Sequence, residues 1–287
     1  MEVAFKRDKI FNREGEVVSK EIGDLTHALN DVEELDERLD GKKLAVFLDY
    51  DGVLTPIVDR PEDAIISDSM RDAVSGLAER CTVCVVSGRD RPVVQELMGL
   101  DHLVVAGSHG FDIWSPDEGT IEHDAGGGFE ELLEEVKERL EKESDSIEGT
   151  SIEPKKASVA IHYRQVAEPE RDKVGQIVDG LLEERSDELK VTPGKMVYEI
   201  QPKIDWDKGK AVLYLLETLE LDGDDVVPMY LGDDHTDEHA FEALDDRGIG
   251  VFVGEKDDPE IEGRTTAANY VLYTVPEVER FLDALAR

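Results

Sequence analysis

An α/β fold is expected from this sequence: a parallel sheet covered by helices, with a smaller α+β domain inserted into it. Three observations predict it. Strand-like and helix-like patterns alternate through residues 45–106 and again through 209–286, the alternation breaks between 111 and 200, and several apolar runs in the alternating parts end in polar clusters.

The first 43 residues are polar and charged. Within them Leu25, Leu29, Val32, Leu35 and Leu39 recur at helical spacing and predict a helix over 25–39. Residues 45–48 are an apolar run of buried-strand character that stops at Asp49 and Asp51. In a regular strand, residues i and i+2 point the same way, so the following loop can turn both carboxylates into one pocket. A polar loop after Pro56 leads to a helix over 67–80, with Met70, Val74 and Leu77 on one face. A strand over 81–86 ends at Ser87-Gly-Arg89, and a helix over 91–97 and a strand over 103–106 complete a β-α-β-α-β run.

From Phe111 the pattern changes. Residues 114–119 read as a turn, and 129–140 as a helix whose apolar residues are Phe129, Leu132, Leu133, Val136 and Leu140. Residues 158–163 alternate as a strand, 174–182 form a second helix, and 189–192 and 196–200 are further strands. These predict an inserted domain over 111–200 that divides a core made of 1–110 and 201–287. The core pattern resumes with a helix over 209–219 and a strand over 226–231 that ends in Gly232-Asp-Asp-His-Thr-Asp-Glu238. A helix over 239–244, strands over 248–253 and 271–274, and a helix over 278–286 close the chain.

Charge narrows the function. Asp and Glu number 69 against 32 Lys and Arg in 287 residues, a formal net charge of -37. Such a charge repels nucleic acid and anionic membranes, and its self-repulsion strains a compact fold unless salt screens it. A cytoplasmic protein adapted to very salty surroundings is therefore expected. Hydrophobic residues still make up 40% of the chain, too many for a disordered acidic segment. The N-terminus lacks a signal-peptide run, and no stretch approaches a membrane span. Cys81 and Cys84 form a C-x-x-C, but in a strand i and i+3 face opposite sides, so packing is expected in place of metal or redox chemistry.

The polar clusters at three strand ends are Asp49/Asp51, Ser87/Arg89 and Asp233/Asp234/Asp237. If the strands are parallel neighbours, all three meet at one sheet edge, where open α/β sheets bind ligands. Four or more carboxylates gathered there repel one another unless a cation sits among them, and hard oxygen ligands suit Mg2+. Gly52 and Gly88 allow tight loops whose N–H groups can face an anion.

Asp49-Tyr-Asp-Gly-Val-Leu-Thr-Pro56, Ser87-Gly-Arg89, Lys208 within Trp206-Asp-Lys-Gly-Lys-Ala211, and Gly232-Asp-Asp-His-Thr-Asp-Glu238 resemble, in order, the four motifs of the haloacid dehalogenase superfamily of phosphohydrolases. Three further segments resemble the trehalose-6-phosphate phosphatases within it. They are Gly107-Ser-His-Gly110, Glu153-Pro-Lys-Lys-Ala-Ser-Val-Ala-Ile-His-Tyr-Arg164 and Gly194-Lys-Met-Val-Tyr-Glu-Ile-Gln-Pro202. The family often has Arg where this chain has Gln201.

The resemblance implies a Rossmann-like hydrolase core with an inserted α+β cap, and Mg2+-dependent hydrolysis of trehalose 6-phosphate through an aspartyl phosphate. It puts the nucleophile on Asp49, the general acid and base on Asp51, and phosphoryl contacts on Ser87 and Lys208. Metal ligation falls on Asp49, the backbone carbonyl of Asp51 and Asp233, with Asp234 and Asp237 orienting metal-bound waters or ligating loosely. Either of the last two could instead cap the following helix. Substrate contacts fall on Gly88, Arg89, His109, Glu153, Lys155, His162, Arg164, Lys195 and Glu199, although for Arg89 a structural ion pair is an equal alternative. Competing expectations are a phosphatase for sucrose phosphate or a glycosyl phosphoglycerate, a phosphoryl mutase, and a non-catalytic sugar-phosphate-binding regulator. A synthase supplying the substrate is the expected functional partner.

Overall fold

The computed structural model describes residues 20–39, 41–58, 60–121, 129–194, 196–244, 247–255, 261 and 263–287. Strands β1 (Lys20–Glu21) and β2 (Thr26–His27) precede helix α1 (Val32–Leu39). Then β3 (Lys43–Leu48), α2 (Asp68–Ala78), β4 (Thr82–Val86), α3 (Arg91–Met98) and β5 (Val104–Gly107) alternate as expected, followed by β6 (Asp112–Ser115) and β7 (Gly119–Ile121). The inserted part contains α4 (Glu130–Ser144), β8 (Ser151–Pro154), β9 (Val159–His162), α5 (Arg171–Glu184), β10 (Leu189–Gly194) and β11 (Val197–Pro202). The chain closes with α6 (Lys208–Thr218), β12 (Val226–Gly232), α7 (Glu238–Leu244), β13 (Ile249–Val253), β14 (Thr265–Thr266), β15 (Tyr270–Leu272) and α8 (Val275–Leu285).

Among the described residues, nine strands form the main sheet in the order β2-β15-β13-β12-β3-β4-β5-β6-β7. All neighbours from β2 to β5 are parallel, and β6 and β7 join antiparallel. The apolar run of β3 is explained by burial on both faces: Val46 and Leu48 pack with α2, α3 and α8, while Ala45 and Phe47 pack towards α6 and α7. Cys84, within β4, lies in the α6–α7 layer and Cys81, just before β4, packs against the opposite one, both as free thiols. No helix among the described residues is long and apolar enough to cross a membrane.

Two expectations need correction. The leucine spacing over 25–39 belongs to no single helix: two 3-10 turns and the short β2 precede α1. Ile22 and Leu25 pack in the α6–α7 layer, whereas Ala28, Leu29 and Leu35 pack in the other, so this stretch wraps the edge of the sheet and serves two cores. The second correction concerns the boundary at 111. The segment read as a turn is the tip of the β6–β7 hairpin, which is hydrogen-bonded to β5, so the main sheet continues to Ile121.

The inserted unit is a four-stranded antiparallel sheet, β10-β11-β9-β8, whose first-crossed strand β8 the apolar pattern did not reveal. Ile152, Val159, Ile161 and Ile200 pack against Leu133, Val136 and Leu140 of α4 and Val174, Val178 and Leu181 of α5. Cross-strand partners share a face, so Glu153, Ala160 and Glu199, which pair across the sheet, stand on the side away from those helices. At the junction of the two units Phe111 meets Phe129 with ring centroids 5.6 Å apart and Trp206 at 6.0 Å.

Candidate active site

Strand β3 pairs with β4 on one side and β12 on the other, so the chain order reverses at β3. That is the switch point where open α/β sheets leave a crevice beyond their carboxyl ends. Asp49 opens the loop there, its N–H donating 3.0 Å to the Leu231 carbonyl. A tight turn follows, in which the Gly52 N–H donates to the Thr55 carbonyl at 2.8 Å. Gly52 has φ 76°, and a Cβ on it would fall 2.0 Å from Asp233 Oδ2. Glycine is therefore required twice over, for the left-handed backbone and for the approach of Asp233.

Lys208 begins α6, whose N-cap Asp207 accepts the Lys210 N–H at 2.9 Å. Its ammonium is 2% exposed and donates to Asp49 Oδ2 at 2.9 Å and Asp237 Oδ1 at 2.6 Å. Asp237 also accepts the Tyr230 hydroxyl at 2.6 Å on Oδ1 and the N–H groups of Asp233 and Asp234, each at 3.0 Å, on Oδ2. Four donors thus occupy its two oxygens, and Asp237 organises the loop and the lysine. It does not cap α7. Asp234 closes that turn, its Oδ1 accepting the N–H groups of Thr236 at 2.7 Å and Asp237 at 3.2 Å.

Carboxylate oxygens of Asp49, Asp233 and Asp237 lie within 4.8 Å of one another. Burial, with Asp237 adding to it against Lys208, pushes the Asp49 carboxyl up to about 8; burial and then Asp49 push Asp233 up to about 9. Burial alone would lower the Lys208 ammonium, but Asp237 and Asp49 outweigh it and hold its pKa above the usual range. One lysine does not balance three carboxyls, two of them buried and Asp233 half-buried. The oxygen-only donor set and this excess of negative charge fit a hard divalent cation such as Mg2+.

Asp51 is held elsewhere. Its two oxygens accept Arg89 Nε and Nη2, both at 2.6 Å, and Arg89 Nη1 donates to the Pro61 carbonyl at 2.7 Å. Of the two alternatives for Arg89, the ion pair is the one present. Ser87 is buried at the end of β4 and accepts the Arg89 N–H at 3.2 Å. A Cβ on Gly88 would sit 2.7 Å from His109 Cε1, so glycine lets that ring pack over the loop. Ser108 and His109 both adopt left-handed backbone, φ 50° and 56°. Burial, then Lys208, lower the His109 pKa to about 4, which keeps the ring neutral near pH 7.

From the inserted unit, Lys155 Nζ lies 3.6 Å from Glu199 Oε2, and the Ser158 hydroxyl donates to Glu199 Oε1 at 2.7 Å. Burial raises the Glu199 pKa, but Lys155, Ser158 and the nearby His109 outweigh it and leave the carboxyl below its ordinary value. Lys155 and Glu199 lie near enough to His109 for their charges to act on its ring. His162 pairs with Glu153 at 2.7 Å further along the same sheet, Arg164 lies beyond the end of β9 and is exposed, and Lys195 lies outside the described residues.

Sequence reasoning missed Tyr230, hidden as one more apolar residue of its strand, and Trp206, whose Nε1–H donates to the His109 carbonyl at 3.1 Å. It also missed Ser158, whose hydroxyl donates to Glu199. A polar tip inside an apolar run was the available signal for Tyr230.

The chain is similar to known proteins in sequence and in fold. A family profile described as Trehalose-phosphatase matches residues 47–274. Trehalose 6-phosphate phosphatase RA3 of Zea mays is 40% identical over 259 residues, covering 86% of this chain and 70% of the relative. The solved C-terminal domain of a C. albicans trehalose-6-phosphate phosphatase matches with a TM-score of 0.72 at 24% identity, over 91% of this chain and 98% of that one. A haloacid dehalogenase-like hydrolase from Bacteroides thetaiotaomicron, 16% identical, shares the fold with a TM-score of 0.60 over 84% and 98% of the two chains.

Proposed function

The chain belongs to the trehalose-phosphatase family, and from that premise we propose that it hydrolyses trehalose 6-phosphate with Asp49 as the nucleophile. The convergence of Asp49, Lys208 and Asp233 beyond the carboxyl end of the parallel sheet carries this reading. An Asp49 oxygen attacks phosphorus, the bond from phosphorus to the sugar oxygen breaks, and Asp51 gives its proton to that oxygen. Asp51, now ionised, takes a proton from water; the water oxygen attacks phosphorus, and the Asp49–phosphorus bond breaks to release phosphate. Asp51 must first turn away from Arg89.

Lys208 stays beside Asp49 throughout and offsets charge on the transferring group, while Ser87 donates to a phosphoryl oxygen and Gly88 and Arg89 line its approach. Asp49 and Asp233 would hold Mg2+, which when bound supplies positive charge to the phosphoryl oxygens. Asp237 fixes Lys208, and Asp234 shapes the loop. Lys155, Glu199, His109 and, further out, Glu153, His162, Arg164 and Lys195 provide the polar groups that select a sugar by its hydroxyls.

A panel of sugar phosphates assayed for phosphate release tests the substrate. Trehalose 6-phosphate is expected among the best by kcat/KM, above sucrose phosphate and glycosyl phosphoglycerates, and chelation of Mg2+ is expected to lower turnover at least about a hundredfold, reversibly. Poor relative turnover of trehalose 6-phosphate would move the assignment to another sugar ester.

The net charge of -37 supports a cytoplasm rich in salt as the setting, and the two free thiols suit a reducing compartment. A synthase making the disaccharide phosphate is the partner this implies. Raising KCl from about 0.1 M to about 1 M shortens the Debye length from about 10 Å to about 3 Å. The melting temperature is expected to rise by at least about 4 °C over that range, and a flat profile would count against the salt-adapted setting.

A further inference from the structure

We propose that Asp90 is a positioning residue that latches the inserted unit onto the phosphate-side loops of the core, so that a disaccharide phosphate depends on it and a small phosphate ester does not. The inference deepens the function proposed above and rests on it for its kinetic half alone.

Asp90 occupies the N-cap of α3. Aspartate is favoured there because its carboxylate accepts an N–H of the first turn. Asp90 makes no such bond. Its Oδ1 instead accepts the Ser108 hydroxyl at 2.6 Å and the backbone N–H of Lys156 at 3.3 Å. One oxygen thereby ties together the start of α3, the turn after β5 and the turn between β8 and β9, which belongs to the other unit.

Each end of this link leads to a group that faces the proposed substrate. Arg89 immediately precedes Asp90, and Ser87 lies two residues before Arg89. Ser108 is followed by His109, and both are held in left-handed backbone by N–H bonds to the Arg89 carbonyl at 2.7 Å and the Ser87 carbonyl at 2.8 Å. Lys156 follows Lys155, the partner of Glu199. The core side is packed hard: a Cβ on Gly107 would lie 2.2 Å from the Arg91 nitrogen. The adjustable member is the Lys156 contact, which is long and exposed. A unit that pivots at its connections would make or break this bond first.

Two measurements on the full chain test the latch. In the ligand-free protein, NMR-detected hydrogen exchange at the Lys156 amide is expected to speed up about fivefold or more in Asp90→Ala and to change little in Asp90→Asn, which keeps an acceptor oxygen. In kinetics, Asp90→Ala is expected to raise KM for trehalose 6-phosphate about fivefold to tenfold, while kcat/KM for p-nitrophenyl phosphate stays within about twofold. Lys156→Pro removes the donor from the other side and should reproduce the KM effect without adding to it in the double variant.

Equal losses on both esters would make Asp90 a prop of the phosphate loop and overturn the latch. Unchanged Lys156 exchange in Asp90→Ala would overturn it regardless of substrate. If the protein spared trehalose 6-phosphate but showed the exchange difference, the substrate assignment would fall and the latch would stand.

Discussion

Replacing Asp49 with Asn is expected to cut turnover at least about a thousandfold while leaving a cooperatively folded protein. The amide fills the same space and can keep one of the two hydrogen bonds that the carboxylate accepts, from Tyr50 N–H at 2.7 Å and Lys208 at 2.9 Å. It cannot form the bond to phosphorus on which the proposed route depends, and loss of a nucleophile acts on the scale of about 10³ to 10⁶ in rate. Asp49 is also costly to ionise where it stands, its carboxyl pushed up to about 8 chiefly by burial. The amide therefore fixes the neutral form the carboxyl already favours near pH 7, and stability should change little. Calorimetry paired with a phosphate-release assay separates the two effects, and turnover near the wild-type level would remove Asp49 from the chemistry.

The second large effect is expected at Lys208. Lys208→Met keeps a long unbranched side chain but withdraws the cation that touches both Asp49 and Asp237 at the start of α6. Breaking a buried pair by removing one partner costs about 3–5 kcal/mol, because the other charge stays behind. Urea unfolding should register a loss of that order, with turnover down at least about a hundredfold. The sign of the coupling is the sharper test. Asp49→Asn added to Lys208→Met should cost less than the two single losses summed, since each substitution breaks the contact the two side chains share. A Lys208→Met protein as stable as the wild type would show that the pair is not balanced as described.

Much of this site was legible in the sequence because strand ends are legible. An apolar run stopping abruptly at Asp49, another stopping at Ser87 and a third at Gly232 locate three loops, and parallel pairing then brings them to one edge. Their partners were harder to see. Which of Asp234 and Asp237 braces the loop is decided by backbone N–H directions, and two identical side chains in one motif carry no such information. The choice at Arg89 between ion pair and phosphate contact likewise depends on where Asp51 points. In the fold, β8 escaped notice because most of its residues are exposed and it ends in Pro154, so it has neither an apolar run nor clean alternation. The 25–39 stretch misled for the opposite reason: its leucines are helically spaced, yet they fill different layers on either side of a sheet edge.

The position of β3 between β4 and β12 has a consequence for how the chain is made. Its pairing with β4 is available once residues 43–86 have emerged, but the partner on its other side arrives only with residues 226–232. At about 5–20 residues per second, the growing polypeptide waits roughly seven to thirty seconds with that central edge uncovered. An open edge flanked by apolar side chains invites a neighbouring nascent chain to pair with it. A net charge of -37 in the full chain works against such pairing, because neighbouring acidic chains on a polysome repel one another.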